Sequence, residues 1–223
     1  MAARVNNNIR KLILVRHGQS TYNLENRFTG WKDVPLTDNG IKEAQDAISL
    51  LKNIPIDIAF TSNLKRAQDT LDIILSGLKL KITTTKHESL NESDYGSLIG
   101  QNKAEAASKF GEEQVQIWRR SYNVPPPDGE SLEMTYERCI PYFKKYILSN
   151  ISTNNIIISA HGNSIRAIVK YLLNLSKDQI LKTEIGWCEP WVFSFNANKI
   201  VNLNIMYKHK TNSFIPIDIN EIY

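Results

Sequence analysis

The chain has 223 residues, 42% hydrophobic and 22% charged, with 27 Lys+Arg against 23 Asp+Glu and a net charge of +4. That length suits one large domain, expected over 1–223, and a charge excess this mild does not indicate nucleic acid. Two cysteines without paired spacing, Cys139 and Cys188, speak against a disulfide framework or zinc site and fit a reducing, cytoplasmic compartment.

In chain order, "MAARVNNNIR" has no signal-peptide core, and residues 1–8 read as a frayed terminus. "IRKLILVRH" (9–17) is a short continuous apolar run, the pattern of a buried strand. A helix follows within 35–54, capped by Thr37 or Asp38, with Ile41, Ala44, Ile48 and Leu51 on one face. "DIAFTS" (57–62) is a second buried strand. "NLKRAQDTLDIILSGL" is a helix with Leu64, Ala67, Leu71, Ile74 and Leu75 inward and Gly77 as its stop. "LKITTTKHESL" is a third strand leading into "NESDYGSLIG". Helices broken near Gly111 follow from residue 102 onward. The helix over 130–149 carries Pro141, which predicts a kink or restart. "NNIIISAH" (154–161) is a fourth buried strand, followed by a helix from Gly162 and a short one over "SKDQILKT". "PWVFSF" and "IVNLNIMY" predict a closing edge hairpin, and 207–223 form a tail. No apolar run approaches the ~20 residues that span a bilayer.

Strands alternating with helices, the strands apolar throughout, predict an α/β three-layer sandwich with a mostly parallel central sheet. Ligands in such folds bind beyond the carboxyl ends of the strands. Three buried strands end there in polar residues: Arg16-His17-Gly18, Thr61-Ser62 with Arg66 one turn on, and His161-Gly162-Asn163. The third strand leads to Glu92 and Tyr95.

Two histidines with two arginines make a poor metal site, because the arginines repel a cation. They suit a phosphoryl group: arginine forks match phosphate oxygens, and neighbouring cations keep an imidazole neutral and nucleophilic. Gly18 and Gly162 would allow close backbone approach, and Glu92 could give and take the proton that phosphoryl transfer moves.

"LVRHGQSTYN" resembles the RHGxSxxN signature of the histidine phosphatase superfamily. "NRFTGWKDVPLTDNG", "TSNLKRAQDT", "SLNESDYGSLIG", the "WRR" stretch and "SAHGNSIRAIVKYL" are similar to the cofactor-dependent phosphoglycerate mutases within it, over roughly 10–195. The resemblance implies interconversion of 3- and 2-phosphoglycerate, a step of glycolysis and gluconeogenesis. It implies priming by 2,3-bisphosphoglycerate through a phosphohistidine, with no metal. His17 would be the nucleophile, Glu92 the proton donor and acceptor, and His161 the stabiliser of the transferring group. Arg16, Asn23, Arg66, Gly162 and Asn163 would line the phosphoryl pocket. Thr29, Gly30, Tyr95, Lys103, Arg119 and Arg120 would hold the rest of the substrate. The residues agree on the last three: a lysine and adjacent arginines suit a carboxylate and a second phosphate. A homo-oligomer, dimer or tetramer, is also implied, with small-molecule partners and neither nucleic acid nor membrane.

The family usually has arginine directly after the glutamate, where this chain has Ser93 and then Asp94. "GWCEP" replaces its "PTG" stretch, and the tail differs, which would let water in and favour phosphatase side activity. Two further readings stand beside the mutase: a phosphatase using the same phosphohistidine, and a non-catalytic phospholigand-binding protein. Trp31, Trp118, Tyr122 and Tyr142 read as packing residues, Cys139 as core, and His87 and His209 as histidines without partners.

Overall fold

Residues 9–207 and 210–214 are described in the computed structural model. Apolar runs form the strands predicted from them: β1 (Ile9–Arg16), β2 (Ile58–Thr61), β3 (Thr84–Lys86) and β4 (Ile156–Ala160). Three more, β5 (Trp191–Asn196), β6 (Lys199–Tyr207) and β7 (Lys210–Phe214), close the chain. The sheet order is β3-β2-β4-β1-β5-β6-β7. β3, β2, β4 and β1 pair in parallel, and each later pairing is antiparallel. The sheet is therefore mostly parallel, with β5 and β7 reversed. The closing hairpin is not an edge: β5 sits against β1, and the tail adds β7 outside β6. The expectations for 1–8, 208–209 and 215–223, His209 included, fall outside the described residues.

Alternate side chains of the central strands feed two cores. Leu12, Leu14, Ile156 and Ile158 face one, and Ile13, Val15 and Ile157 the other. Each fully buried isoleucine or leucine contributes roughly 1.5–3 kcal/mol relative to exposure, which pins β1 and β4 side by side. Helices cover both faces. After α1 (Thr21–Leu24), α2 (Asp38–Leu51) and α3 (Lys65–Gly77) lie on one. The other carries α6 (Leu132–Tyr142) and α7 (Gly162–Leu172); between the two groups come α4 (Lys103–Phe110) and α5 (Glu112–Arg120). The short α8 (Lys177–Lys182) follows α7. Phe28, Leu98, Ala106 and Val115 make a small third cluster under α4 and α5. Among the described residues, no helix is long and apolar enough to cross a membrane.

Thr37 is the cap of α2: its Oγ1 accepts from Gly40 N at 3.0 Å. The buried face of that helix is Gly40, Ala44, Ala47 and Leu51, while Ile41 is exposed and Ile48 partly so. Glycine and alanine won because the helix lies too close for larger side chains. A Cβ on Gly18 would collide with Gly40 O, so Gly18 serves helix packing rather than clearing a path for ligand. Gly77 likewise ends α3 against Ile48, and the left-handed residue that turns the chain is Lys79 (φ 57°). Pro141 sits inside α6, and directly after it the helix continues as a π turn over Phe143–Ile147. The ring removes a ladder bond, and the wider turn takes up the mismatch in place of a break.

Candidate active site

Strand order puts the polar strand ends together. Arg16 registers with Ala160, and His17 N donates to Ala160 O at 3.0 Å, so His17 and His161 leave adjacent parallel strands at one level. Their ring centroids are 5.0 Å apart. Both rings are buried. Ser62 follows β2, and Arg66 is in the first turn of α3.

The hydrogen bonds assign the His17 tautomer. Nδ1 donates to Gly18 O at 2.7 Å, leaving the Nε2 lone pair outward. Arg66 Nε approaches that nitrogen at 3.3 Å, with Nη2 on Gly30 O (2.9 Å) and Nη1 on Lys32 O (3.0 Å). Burial, then Arg66 and Arg16, hold His17 well below the ordinary histidine value, so it is neutral at pH 7. His161 is lowered in the same way, by burial and then Arg66. Its Nε2 pairs with Ser62 Oγ at 2.7 Å. Ser62 Oγ also accepts from Leu64 N at 3.1 Å; with Ser62 assigned as the donor to Nε2, the neutral His161 ring carries its proton on Nδ1. That Nδ1 is buried without a partner, as is Arg16 Nε. Arg16 is otherwise anchored by Nη1 on Ile185 O at 2.8 Å and by the Trp187 ring, 5.4 Å from its Cζ. Two orphaned nitrogens beside His17 Nε2 and a second arginine form a cationic cradle of a charge suited to a phosphoryl group.

Glu92 closes the cradle. Its Oε1 accepts from Ser93 N and from Asn163 N, each at 2.9 Å. The second bond places a carboxylate on the first turn of α7, where the helix dipole favours it. A Cβ on Gly162 would lie 3.5 Å from Glu92 Oε2 and 3.8 Å from Arg16 Cζ, so Gly162 does sit where backbone and site meet closely. Gly30 (φ 50°) carries the Arg66 contact, and a Cβ there would press on Tyr95 N. Tyr95 is hydrogen-bonded to the Asn163 side chain, and burial raises its phenol. Thr29 is buried beside Gly30, its carbonyl accepting from Lys32 N.

Lys103, Arg119 and Arg120 belong to the cleft mouth. Burial, then Arg119, lowers Lys103 to about 8. Lys103 and Arg119 share the groove between α4 and α5, and Arg119 and Arg120 line a cleft with Ser93, Tyr95 and Asn163. Asn23 Oδ1 accepts from Ser20 N (3.1 Å) and Ser20 Oγ (2.9 Å) in the capping box of α1.

Several neighbours escaped the sequence reading. Arg166, one turn after Asn163, donates Nη1 to Asn163 Oδ1 at 3.1 Å, a helical spacing that could have been noticed. Glu184 bridges Arg120 (2.8 Å) and Arg166 (3.3 Å). Trp31 is exposed and donates Nε1 to Glu92 O at 2.6 Å, so it clamps a loop and is not core. Tyr122 and Tyr142 are buried, Trp118 half-buried, and Cys139 is core. His87 does have partners: it stacks on Tyr142 at 3.9 Å, and its Nδ1 accepts from Ser89 N. Ser93 is buried with its hydroxyl on Thr135 Oγ1 (2.6 Å), and Asp94 caps Gly96 N (2.9 Å).

Comparison with known proteins fits this geometry. The chain is 52% identical over 196 residues to a 2,3-bisphosphoglycerate-dependent phosphoglycerate mutase of Nitrobacter hamburgensis, covering 86% of this chain and 95% of that one. A relative of the same name from Parvibaculum lavamentivorans is 49% identical over 189 residues, covering 83% and 90%. Among solved structures, the alpha-ribazole phosphatase of Shigella flexneri superposes with a TM-score of 0.74 at 22% identity, covering 85% and 93%. A mycobacterial glucosyl-3-phosphoglycerate phosphatase gives 0.75 at 22%, covering 89% and 98%. At that identity the two structures speak for the fold alone. Residues 12–205 match the family model of the histidine phosphatase superfamily (branch 1), and the chain belongs to that superfamily.

Proposed function

We propose that the chain interconverts 3-phosphoglycerate and 2-phosphoglycerate through a phosphohistidine at His17. The observation that carries the reading is the neutral His17, its Nε2 lone pair facing Arg66, with Arg16 Nε and His161 Nδ1 left as unpartnered buried donors. The names of relatives about 50% identical over most of the chain support the choice of substrate.

When bound, 2,3-bisphosphoglycerate supplies the phosphoryl group that His17 carries. The residues here fit such a primer, because two buried cradle nitrogens, Arg16 Nε and His161 Nδ1, have no internal partner and the mouth adds Lys103, Arg119 and Arg120 for its other acidic groups. Nε2 of His17 attacks phosphorus while Arg16, Arg66 and His161 hold the equatorial oxygens, where charge builds up in the transition state. Glu92, 2.9 Å from two backbone donors, gives its proton to the departing oxygen. In the return transfer it takes the proton of the attacking hydroxyl, a contribution of about 10²–10⁴-fold. A mutase must hold its intermediate with either oxygen facing His17, and the three mouth cations suit both orientations. The two free, buried cysteines support a reducing cytoplasmic setting.

Hydrolysis is the second reading. It is favoured by Ser93, whose hydroxyl is spent on Thr135 where the family usually has a cation. ³¹P NMR of 3-phosphoglycerate with purified protein and a trace of 2,3-bisphosphoglycerate separates the two. Growth of 2-phosphoglycerate that depends on the primer supports the mutase; growth of inorganic phosphate replaces it with the phosphatase.

A further inference from the structure

Glu92 reaches the cleft from irregular chain, between single 3₁₀ turns at Glu88–Leu90 and Gly96–Leu98. The other cradle groups stand at strand ends or on a helix. A proton-transfer group on a loop stays within reach of a substrate oxygen only if its surroundings hold it.

The support comes from Arg138 on α6. Its Nη1 donates to Glu88 O at 2.8 Å, and its Nη2 to Glu92 O at 3.2 Å and to Asn91 O at 3.4 Å. One guanidinium therefore gathers three carbonyls of the loop. Its remaining edge forms a fork on Glu130, Nε to Oε1 at 3.0 Å and Nη2 to Oε2 at 2.8 Å. Both side chains of that pair are under one-fifth exposed, so the bidentate geometry is held rather than fluctuating in solvent. Glu130 Oε2 also accepts from Thr135 Oγ1 and Asp94 N, which ties down the chain just past Glu92. Trp31 completes the clamp, its ring 5.3 Å from Arg138 Cζ and its Nε1 on Glu92 O.

The Glu92–Ser93 peptide links this clamp to the carboxylate. Its carbonyl accepts from Trp31 and Arg138, and its N–H donates back to Glu92 Oε1. Donors on a carbonyl polarise the peptide and strengthen its N–H as a donor. The Arg138 charge is thus felt at the Glu92 carboxylate through a single peptide unit.

We propose that Arg138, oriented by Glu130 and backed by Trp31, is the positioning residue for Glu92, fixing both the loop and the carboxylate without touching substrate. The inference rests on reading Glu92 as the proton-transfer group. It predicts a specific failure: chemistry slows while binding stays, because the phosphoryl cradle is built on other elements.

The test uses Arg138→Met, Arg138→Lys and Trp31→Phe in the full chain. Each is compared with the wild-type protein's own turnover, on phosphoglycerate or, if the protein proves to be a phosphatase, on ester hydrolysis. Orthovanadate, a phosphate-like anion that reads the cradle alone, reports binding separately. Arg138→Met should lower kcat about 10–100-fold while KM and the vanadate inhibition constant stay within about twofold. Arg138→Lys should recover part of the loss, since one cation can still reach the carbonyls. Trp31→Phe should cost several-fold in kcat, because it removes one donor and keeps the ring. An unchanged kcat in folded Arg138→Met overturns the proposal. So does a parallel worsening of kcat, KM, vanadate binding and melting temperature, which marks a merely structural staple. If Arg138→Met does not fold, Trp31→Phe decides: its ring is already exposed, and an unchanged kcat there rejects the proposal. A wild type with no turnover on any phosphate ester would instead sink the reading of Glu92 itself.

Discussion

Arg66 is 1% exposed and directs its guanidinium at Gly30 O, Lys32 O and His17 Nε2. Arg120, at the mouth of the same cleft, has a side chain 37% exposed and meets a glutamate that is 67% exposed. The two arginines belong to two kinds of site. Around Arg66, carbonyls and strand ends fix the donors before any ligand arrives, so little reorganisation is left for the reaction. Around Arg120, charges face solvent and meet an exposed carboxylate, which on the proposed reading suits a surface that holds a substrate in two orientations. On the proposed reading, the chemistry lies in the rigid region and the choice of substrate in the adaptable one.

The sharpest test of that division compares one residue from each. His17→Gln should lower kcat by at least about 10⁴-fold and abolish acid-labile phosphate on the protein, because the other cradle histidine, His161, has its Nε2 engaged by Ser62. Arg119→Met should raise KM roughly 10- to 100-fold, in line with about 1.5–3 kcal/mol for a charged hydrogen bond, and leave kcat within about threefold. Steady-state kinetics and acid quenching after labelling check both. Equal losses of kcat in the two variants would erase the distinction.

Stability against pH sharpens it further. His17 and His161 are neutral when folded and held well below their ordinary value by burial and Arg66. Unfolded, they titrate near 6.5. Below that pH the unfolded chain takes up protons that the folded chain refuses, so stability present above about 6.5 is lost as pH falls. The limiting slope is about 1.4 kcal/mol per pH unit for each histidine. Urea midpoints at pH 7, 6 and 5 should therefore fall steeply, and less so in the His17→Gln variant. Identical slopes would mean that the pocket does not hold His17 neutral.

The strand-end cradle and the mouth cations Lys103, Arg119 and Arg120 were legible in the sequence, and the groups that brace them were not. Apolar runs ending in Arg16-His17, Ser62 and His161 reveal their position, because parallel strands covered on both faces leave their carboxyl ends as the one common edge. The gaps have physical causes. Ile41 reads as core by periodicity, but Gly40 and Gly18 bring α2 so close that Ala44 and Ala47 take the buried face. β5 reads as an edge strand because a sequence does not carry the sheet order that sets it beside β1. Arg138 and Glu184 have little local signal: the contacts that tie them to the site, with Glu92 and Arg120, span 46 and 64 residues.

Lys103 lies between the two regions and yields a smaller effect. Burial, then Arg119, lowers it to about 8, so its charge is lost as pH rises through that value. Phosphate esters complete their second ionisation well below it, near 6. The kcat/KM of the wild type should then fall above about pH 8 by up to tenfold per unit, since that ratio reports the free enzyme. Lys103→Met should have a lower plateau and no such limb. A wild-type profile flat to pH 9.5 would place Lys103 outside the substrate's reach.

The smallest expected effect tests the mouth on its own terms. Glu184 bridges Arg120 and Arg166, and Arg166 reaches on to Asn163 beside the cradle. A substrate carboxylate or second phosphate that uses Arg120 must first displace this internal carboxylate. An exposed pair of this kind is worth at most about 1 kcal/mol, so the competition is gentle and weakens with salt. Glu184→Gln should lower KM two- to fivefold at low ionic strength, leave kcat unchanged, and converge with wild type near 0.5 M salt. The same change at a residue that only braced Arg120 would raise KM, because the arginine would lose its orientation. The sign of the KM shift therefore decides whether Glu184 competes with substrate for the mouth or helps to build it.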